Sequence, residues 1–206
     1  MLRRIFFACL IVVWLSIVAA GMAFVWSYNH RPGEAAVAPA AWPAGTHIPK
    51  TADYTLVMLA HPKCPCTRAT VEELSKLIAH THGRLKAFVL FVRPLGVPAD
   101  WNQTDLWQSA SAIPGVTVLN DDDGIEAKLF DAHVSGQVMV YDPNGKLVFQ
   151  GGITESRGQI GDNAGRDAIE TRVNKGTSER EQTVVFGCPL FDPSECRTPN
   201  HGTYNR

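Results

Sequence analysis

The chain has 206 residues, a formal net charge of −1 and a hydrophobic content of 45%. This length suits one domain of ordinary size with appendages. The near-neutral charge gives no reason to expect nucleic acid as a partner, because nucleic-acid-binding domains usually carry a clear excess of Lys and Arg.

The first predicted element is an apolar helix over Ile5–Trp26, which contains no charged residue. About 20 apolar residues suffice to cross the hydrocarbon core of a membrane. Arg3 and Arg4 precede the segment, and positively charged flanks stay in the cytoplasm. We therefore predict a signal anchor over residues 1–28, whose transmembrane helix covers residues 5–26.

This anchor makes the chain a single-pass protein of the cytoplasmic (inner) membrane, with its soluble domain in the periplasm or outside. A cleaved signal peptide is the alternative. Ala19-Ala20-Gly21 offers a weak cleavage site, although the residues beyond it are still apolar.

Three further segments follow from composition. Residues 29–50 contain four prolines among many alanines, which predicts an extended linker. Residues 51–176 form the predicted folded domain. Residues 177–206 form a polar, cysteine-containing tail with too little apolar surface to fold alone.

The domain begins with a continuous apolar run at 54–60, which is typical of a strand buried on both faces. Apolar residues from Val71 to Ile78 then recur on one face of a helix, which Gly83 would end. A second buried strand covers 85–92. This order predicts two parallel strands joined by a helical crossover.

The second half of the domain contains a β-hairpin, because Asn144-Gly145 separates two apolar runs. The other predicted elements are weaker. In chain order, the predicted elements of this half are a helix at 101–112, a strand at 116–119, a helix at 125–130, hairpin strands at 137–141 and 146–150, and a helix at 163–173.

The strongest candidate for chemistry is Cys64-Pro65-Cys66, at the junction of the first strand and helix. Pro65 suits the first helical position, which would make Cys64 the N-cap. Free N–H groups and the positive end of the helix dipole favour a thiolate there. His61 and Lys63 would act in the same direction. Such a thiol is suited to disulfide exchange.

The order of these features resembles the thioredoxin-like superfamily over about residues 52–174. The segment Val134–Asp142 is similar to the stretch that runs from the family's cis-proline loop into a strand. Residues 149–158, 161–165 and 186–190 resemble the bacterial RedB-type branch. The resemblance implies an α/β fold, a thioredoxin-like central mixed sheet flanked by helices, and thiol–disulfide oxidoreductase activity on protein thiols or disulfides without a cofactor.

Two differences from the family pattern bear on function. The usual motif is Cys-x-x-Cys, whereas one intervening residue is missing here. A Cys64–Cys66 disulfide would need local unwinding and would be easily reduced, which favours an oxidant or isomerase over a reductant. The cis-proline is replaced by Gly136 after Ser135, and we expect these two residues to form the substrate loop.

The remaining cysteines are Cys9, within the apolar segment, and Cys188 and Cys196, in the tail. Four exported cysteines allow three complete pairings. Cys188 and Cys196 are either resolving thiols or a structural pair. We expect Cys188–Cys196 as the resting bond, and the alternative is that Cys188 reaches the Cys64–Cys66 corner.

Two other functions fit the same residues. Cys64, Cys66 and His61, with or without Cys188, could hold Cu(I), which prefers thiolate ligands. A thiol peroxidase would use Cys64 as the peroxidatic thiol. The oxidoreductase hypothesis requires no metal.

Overall fold

The structure is a computed structural model that describes residues 1–34 and 36–191. The chain divides into two compact units, Met1–Arg31 and Pro32–Arg206. The first unit is one helix, α1 (Leu2–Asn29), none of whose residues is buried. Its length and composition allow it to cross a membrane, a property that an anchor and a signal sequence share.

The second unit contains one five-stranded sheet with the strand order β3-β2-β1-β4-β5. Strands β1, β2 and β3 are parallel, whereas β4 and β5 form an antiparallel hairpin. The strands are β1 (Tyr54–Ala60), β2 (Leu85–Arg93), β3 (Val116–Asp122), β4 (Gln137–Tyr141) and β5 (Leu147–Gly151). The helices are α2 (Thr67–His80), α3 (Asp105–Ser111), α4 (Ile125–Leu129) and α5 (Ala164–Lys175).

This architecture confirms the thioredoxin-like mixed sheet flanked by helices. Strand β1 is central and buried on both faces. Leu56 and Met58 belong to one apolar core, whereas Val57 and Leu59 belong to the other. The alternation follows from the two-residue period of a strand, and it explains why the run at 54–60 is apolar throughout.

The predicted linker is only partly free of the domain. The Trp42 N–H donates to the Gly145 carbonyl at 2.7 Å, and the Leu147 N–H donates to the Ala40 carbonyl at 2.9 Å. Ile48 is buried in the second core. Residues 40–42 therefore pair with the hairpin, and the Thr46 hydroxyl and the His47 N–H donate to Glu126 of α4. These contacts need no apolar periodicity, which is why the sequence pattern did not indicate them.

A buried carboxylate of α2 pairs with an arginine of α5. Glu73 is fully buried, although helical periodicity assigns it to the polar face. Its carboxylate accepts hydrogen bonds from Lys76 at 2.8 Å and from the Gly161 N–H at 3.0 Å, and it pairs with Arg166. The glycine-rich segment before α5 therefore binds the Glu73 carboxylate of the domain itself.

The pKa of Glu73 is lowered. Burial raises it, but the hydrogen bonds from Lys76 and Gly161 and the positive charge of Arg166 outweigh burial. Because the folded-state pKa lies below the unfolded one, this carboxylate stabilises the fold at neutral pH. Its contribution is lost as the pH falls from the unfolded value, about 4.3, through the lowered folded value.

We expect Glu73→Gln to lower the free energy of unfolding by about 3 kcal/mol at neutral pH, because Arg166 loses its buried partner. Urea unfolding of the full chain in detergent measures this. Glu72→Gln is the matched control, since Glu72 is exposed and lies 4.0 Å from Lys76, and it should change stability by less than about 0.5 kcal/mol. Equal effects of the two substitutions would contradict the assignment. The difference in the free energy of unfolding between the two variants should shrink as the pH falls.

Candidate active site

The Cys64-Pro65-Cys66 motif lies at the carboxyl end of β1, in the turn that leads into α2. The Cys64 N–H donates to the His61 carbonyl at 3.1 Å, and the Thr67 N–H donates to the Cys64 carbonyl at 3.3 Å. Helix α2 begins at Thr67, and Cys66, rather than Cys64, is its N-cap. The expectation that Cys64 caps the helix is wrong, because a tight turn precedes the first regular helical residue.

A third cysteine joins the motif from the C-terminal tail. The sulfur atoms of Cys64, Cys66 and Cys188 all lie within 4.8 Å of one another. All three residues are buried, with exposed fractions of 2%, 8% and 4% respectively. Among the described residues, they form a cluster separate from the two apolar cores.

The structure therefore brings Cys188 to the corner, which is the alternative to a separate tail staple. Cys196 lies outside the described residues. A resting Cys188–Cys196 bond consequently stays a prediction.

The predicted substrate loop holds both the motif and the tail. The Ser135 hydroxyl oxygen accepts a hydrogen bond from the His61 N–H at 2.8 Å and lies 2.6 Å from the Thr67 hydroxyl oxygen. The Ser135 N–H donates to the Cys188 carbonyl at 2.8 Å. Gly136 donates its N–H to the Leu59 carbonyl at 2.8 Å. Ser135 thus links the cysteine turn to the tail.

Gly136 has a positive φ of 91°, and a side chain there would lie 3.0 Å from the Thr70 hydroxyl oxygen. A residue without Cβ meets both constraints. Gly136 therefore shapes the loop by its backbone alone.

The pKa of Cys64 lies below its usual range. The main causes are hydrogen bonds from the thiols of Cys188 and Cys66 to its sulfur. Burial opposes ionisation, whereas the Thr67 hydroxyl and the backbone of Cys188 add further hydrogen bonds. Since four donors converge on one sulfur, these hydrogen bonds favour a thiolate on Cys64 over one on Cys66.

The pKa of Cys66 is raised. Its hydrogen bonds with Cys188 and Cys64 and its burial favour the protonated thiol, and the charge on Cys64 disfavours a second thiolate nearby. The difference between the two cysteines has the expected direction. Its cause is the sulfur cluster and its hydrogen bonds, not an N-cap position of Cys64.

His61 and Lys63 lie directly before the cysteine motif in the turn after β1. Burial lowers the pKa of His61, with Cys64 opposing and Lys63 adding to the shift, and its Nδ1 accepts the Lys63 N–H at 3.2 Å. The Lys63 ammonium lies 3.4 Å from the centre of the Trp101 ring. Burial also lowers the pKa of Lys63, against the charge of Asp100. A tuning role for His61 and Lys63 stays a prediction.

Thr67 is a site residue that sequence reasoning missed. It is fully buried, and its hydroxyl lies between Ser135 and Cys64. Its position directly after the Cys-x-Cys motif is the one signal that could have identified it. From the sequence, Cys188 at this corner is only an alternative, because its position depends on how the tail folds back.

Structural comparison shows which known proteins share this fold. An uncharacterised conserved protein from Geobacillus kaustophilus has a TM-score of 0.58 and 19% identity, covering 80% of this chain and 94% of that one. A hypothetical protein from Sinorhizobium meliloti 1021 has a TM-score of 0.56 and 17% identity, covering 78% and 93%. At these identities the likeness concerns the fold alone.

A secreted disulfide oxidoreductase from Mycobacterium tuberculosis, homologous to E. coli DsbE, has a TM-score of 0.44 and 16% identity, covering 61% of this chain and 84% of that one. This likeness is too distant to carry an argument about function. No protein-family model matches the chain, and no curated protein is similar to it in sequence.

We expect Cys188→Ala to raise the pKa of Cys64, because it removes the strongest hydrogen bond to the thiolate. Ultraviolet thiolate absorbance of the reduced protein, titrated from acid to alkaline pH, measures this shift. Cys9→Ser is the matched control and should leave the titration midpoint of Cys64 unchanged. A wild-type midpoint at about 8.5, the free-cysteine value, would contradict the assignment of Cys64 as the thiolate.

Proposed function

We propose that this protein is an extracytoplasmic thiol–disulfide oxidoreductase that acts through its Cys64-Pro65-Cys66 corner, where Cys64 is the nucleophile, Cys66 hydrogen-bonds to the Cys64 sulfur and Cys188 is the resolving thiol. The observation that carries the proposal is the convergence of three buried sulfurs on one another, with hydrogen bonds that favour a thiolate on Cys64. A thiolate is the nucleophile of disulfide exchange. The similarity of residues 149–158 and 186–190 to the RedB-type branch is consistent with this role.

The reaction begins when the Cys64 thiolate attacks one sulfur of a partner disulfide. The partner's sulfur–sulfur bond breaks, one partner cysteine leaves as a thiolate, and a mixed disulfide forms with Cys64. A second thiolate of this protein then attacks the Cys64 sulfur and releases the other partner cysteine. Two electrons pass from this protein to the partner, which is reduced, and the reverse sequence oxidises a partner dithiol.

We assign the second attack to Cys188. Cys66 is two positions from Cys64 at a helix start, so a bond between them would require the turn to unwind. Cys188 comes from a separate segment, and its sulfur is already within 4.8 Å of that of Cys64. A Cys64–Cys188 bond therefore avoids the geometric problem of the Cys-x-Cys motif.

The stabilised Cys64 thiolate also bears on the direction of transfer. A hydrogen-bonded thiolate stabilises the reduced protein relative to its disulfide, and this makes the disulfide form a stronger oxidant. The site therefore supports a donor of disulfides or an isomerase better than it supports a reductant.

We expect Cys64→Ser to slow exchange with a fluorescent peptide disulfide by about 100-fold or more, because the nucleophile is lost. Cys9→Ser should leave the rate within about twofold, since this residue lies outside the site. Acid quenching and mass spectrometry should show a trapped mixed disulfide in Cys188→Ser and continued turnover in Cys66→Ser. Exchange at the wild-type rate in Cys64→Ser would reject the proposal.

We further propose that α1 anchors the domain outside the cytoplasmic membrane. Support comes from its length and apolar composition and from Arg3 and Arg4 at its start. In a chain whose five own cysteines are replaced by serine, a cysteine introduced as Leu95→Cys, at a position that is 77% exposed, should react with a membrane-impermeant maleimide in intact spheroplasts. Leu2→Cys is the matched control and should react only after lysis. The opposite labelling pattern would invert the topology.

Binding of Cu(I) is the second candidate function, because three thiolates within 4.8 Å suit that ion. In the described residues, the group with metal-binding spacing contains Cys188 in place of the expected His61. Titration of the reduced protein against a Cu(I) chelator separates the two functions. Tight binding that is lost in Cys188→Ser, together with no exchange activity, would favour metal handling.

A further inference from the structure

The C-terminal tail forms backbone pairing along the edge of the domain before it reaches the cysteines. The Gln150 N–H donates to the Glu181 carbonyl at 2.9 Å, and the Thr183 N–H donates to the Gln150 carbonyl at 3.1 Å. The Gly33 N–H donates to the Val185 carbonyl at 2.8 Å. Backbone hydrogen bonds therefore hold the tail against the domain at several residues before Cys188.

The tail then pairs antiparallel with the substrate loop. The Ser135 N–H donates to the Cys188 carbonyl at 2.8 Å, and the Leu190 N–H donates to the His133 carbonyl at 2.9 Å. Val134 and Pro189 face each other across this short ladder. We name residues 186–190 the tail strand and residues 133–135 the docking edge.

The residues on either side of Cys188 fit the docking edge closely. A Cβ on Gly187 would lie 2.0 Å from the Ser135 carbonyl oxygen, so a larger residue cannot occupy this position without moving the backbone. Leu190 is 3% exposed and belongs to the second core together with Phe130 and Ala132. The tail strand thus presents a small residue before its cysteine and an apolar anchor two positions after it.

An edge of this kind can bind any extended peptide of matching shape. Backbone hydrogen bonds to a sheet edge give affinity, and pockets for alternate side chains give specificity. The tail strand places its own cysteine against Cys64, where a partner's cysteine would have to lie. Cys64 is only 2% exposed beneath it, so a partner cannot reach this sulfur while the tail strand is in place.

We propose that the tail strand competes with partner peptides for the docking edge, which includes Ser135 of the predicted substrate loop, and that the tail strand defines the kind of partner the site accepts. The partner is an extended segment with a small residue directly before its cysteine and an apolar residue two positions after it. It binds antiparallel to residues 133–135 and displaces the tail strand. This proposal rests on the proposed thiol-exchange function for its purpose, but its binding step involves no redox chemistry.

The test uses the reduced full chain in detergent and a fluorescent peptide with the sequence of residues 184–191, in which serine replaces the cysteine so that no covalent bond can form. Gly187→Ala should displace the tail strand by its clash with Ser135 and tighten peptide binding by about tenfold or more, because a tethered competitor acts at a high effective concentration. Fluorescence anisotropy measures the apparent Kd. Val184→Ala, at an exposed tail position, is the matched control and should bind within about twofold of wild type.

Two altered peptides test the recognition rule on the Gly187→Ala protein. A peptide with alanine at the position of Gly187, or with serine at that of Leu190, should bind about tenfold more weakly than the parent peptide. Leu190→Ala in the protein is a second way to release the tail strand, in case Gly187→Ala fails to fold. It should increase the alkylation rate of Cys64 as well as peptide binding.

Equal peptide affinity for wild type, Gly187→Ala and Leu190→Ala, or no binding to any of them, would overturn the proposal. So would equal binding of the parent and altered peptides. Binding without any exchange activity would leave the docking edge standing while the proposed function failed. Exchange activity without peptide binding would leave the proposed function standing while the docking proposal failed.

Discussion

The hydrogen bonds between the docking edge and the tail strand are the interactions on which the site depends. They bring Cys188 from the tail to the turn that contains Cys64 and Cys66. Without them the corner would contain a Cys-x-Cys pair alone, whose direct disulfide is geometrically unfavourable. With them, the protein has a third sulfur in reach and gains two hydrogen bonds to the Cys64 thiolate, one from the thiol of Cys188 and one from its backbone.

Much of the fold was predictable, because local patterns and global architecture agree. The continuous apolar runs give the buried central strands β1 and β2, and the Asn144-Gly145 turn gives the hairpin of β4 and β5. The resemblance to the thioredoxin-like superfamily, with the spacing from Asp142, predicts that Ser135 and Gly136 form the substrate loop before that hairpin. Each of these signals depends on neighbouring residues in the sequence.

What the sequence did not reveal depends on long-range contacts between segments. Glu73 is on the polar face of α2 by periodicity, yet Arg166 and Gly161, about 90 residues later, enclose it. Cys188 is separated from Cys64 by most of the domain. Neither contact leaves a periodic signal in the chain, because each involves one side chain and a loop or tail whose path is set by tertiary packing.

The tail strand couples access to Cys64 with the acidity of its thiol. The segment that covers Cys64 also supplies hydrogen bonds that lower its pKa. Displacement of the tail strand therefore exposes the sulfur and at the same time weakens its preference for the thiolate. A partner segment that pairs with residues 133–135 in the same register places one of its backbone N–H groups where the Cys188 N–H lay. This N–H restores part of the preference of Cys64 for the thiolate. A small disulfide that cannot pair with the docking edge restores none of this preference for the thiolate. The geometry therefore favours extended protein segments over small disulfides as partners.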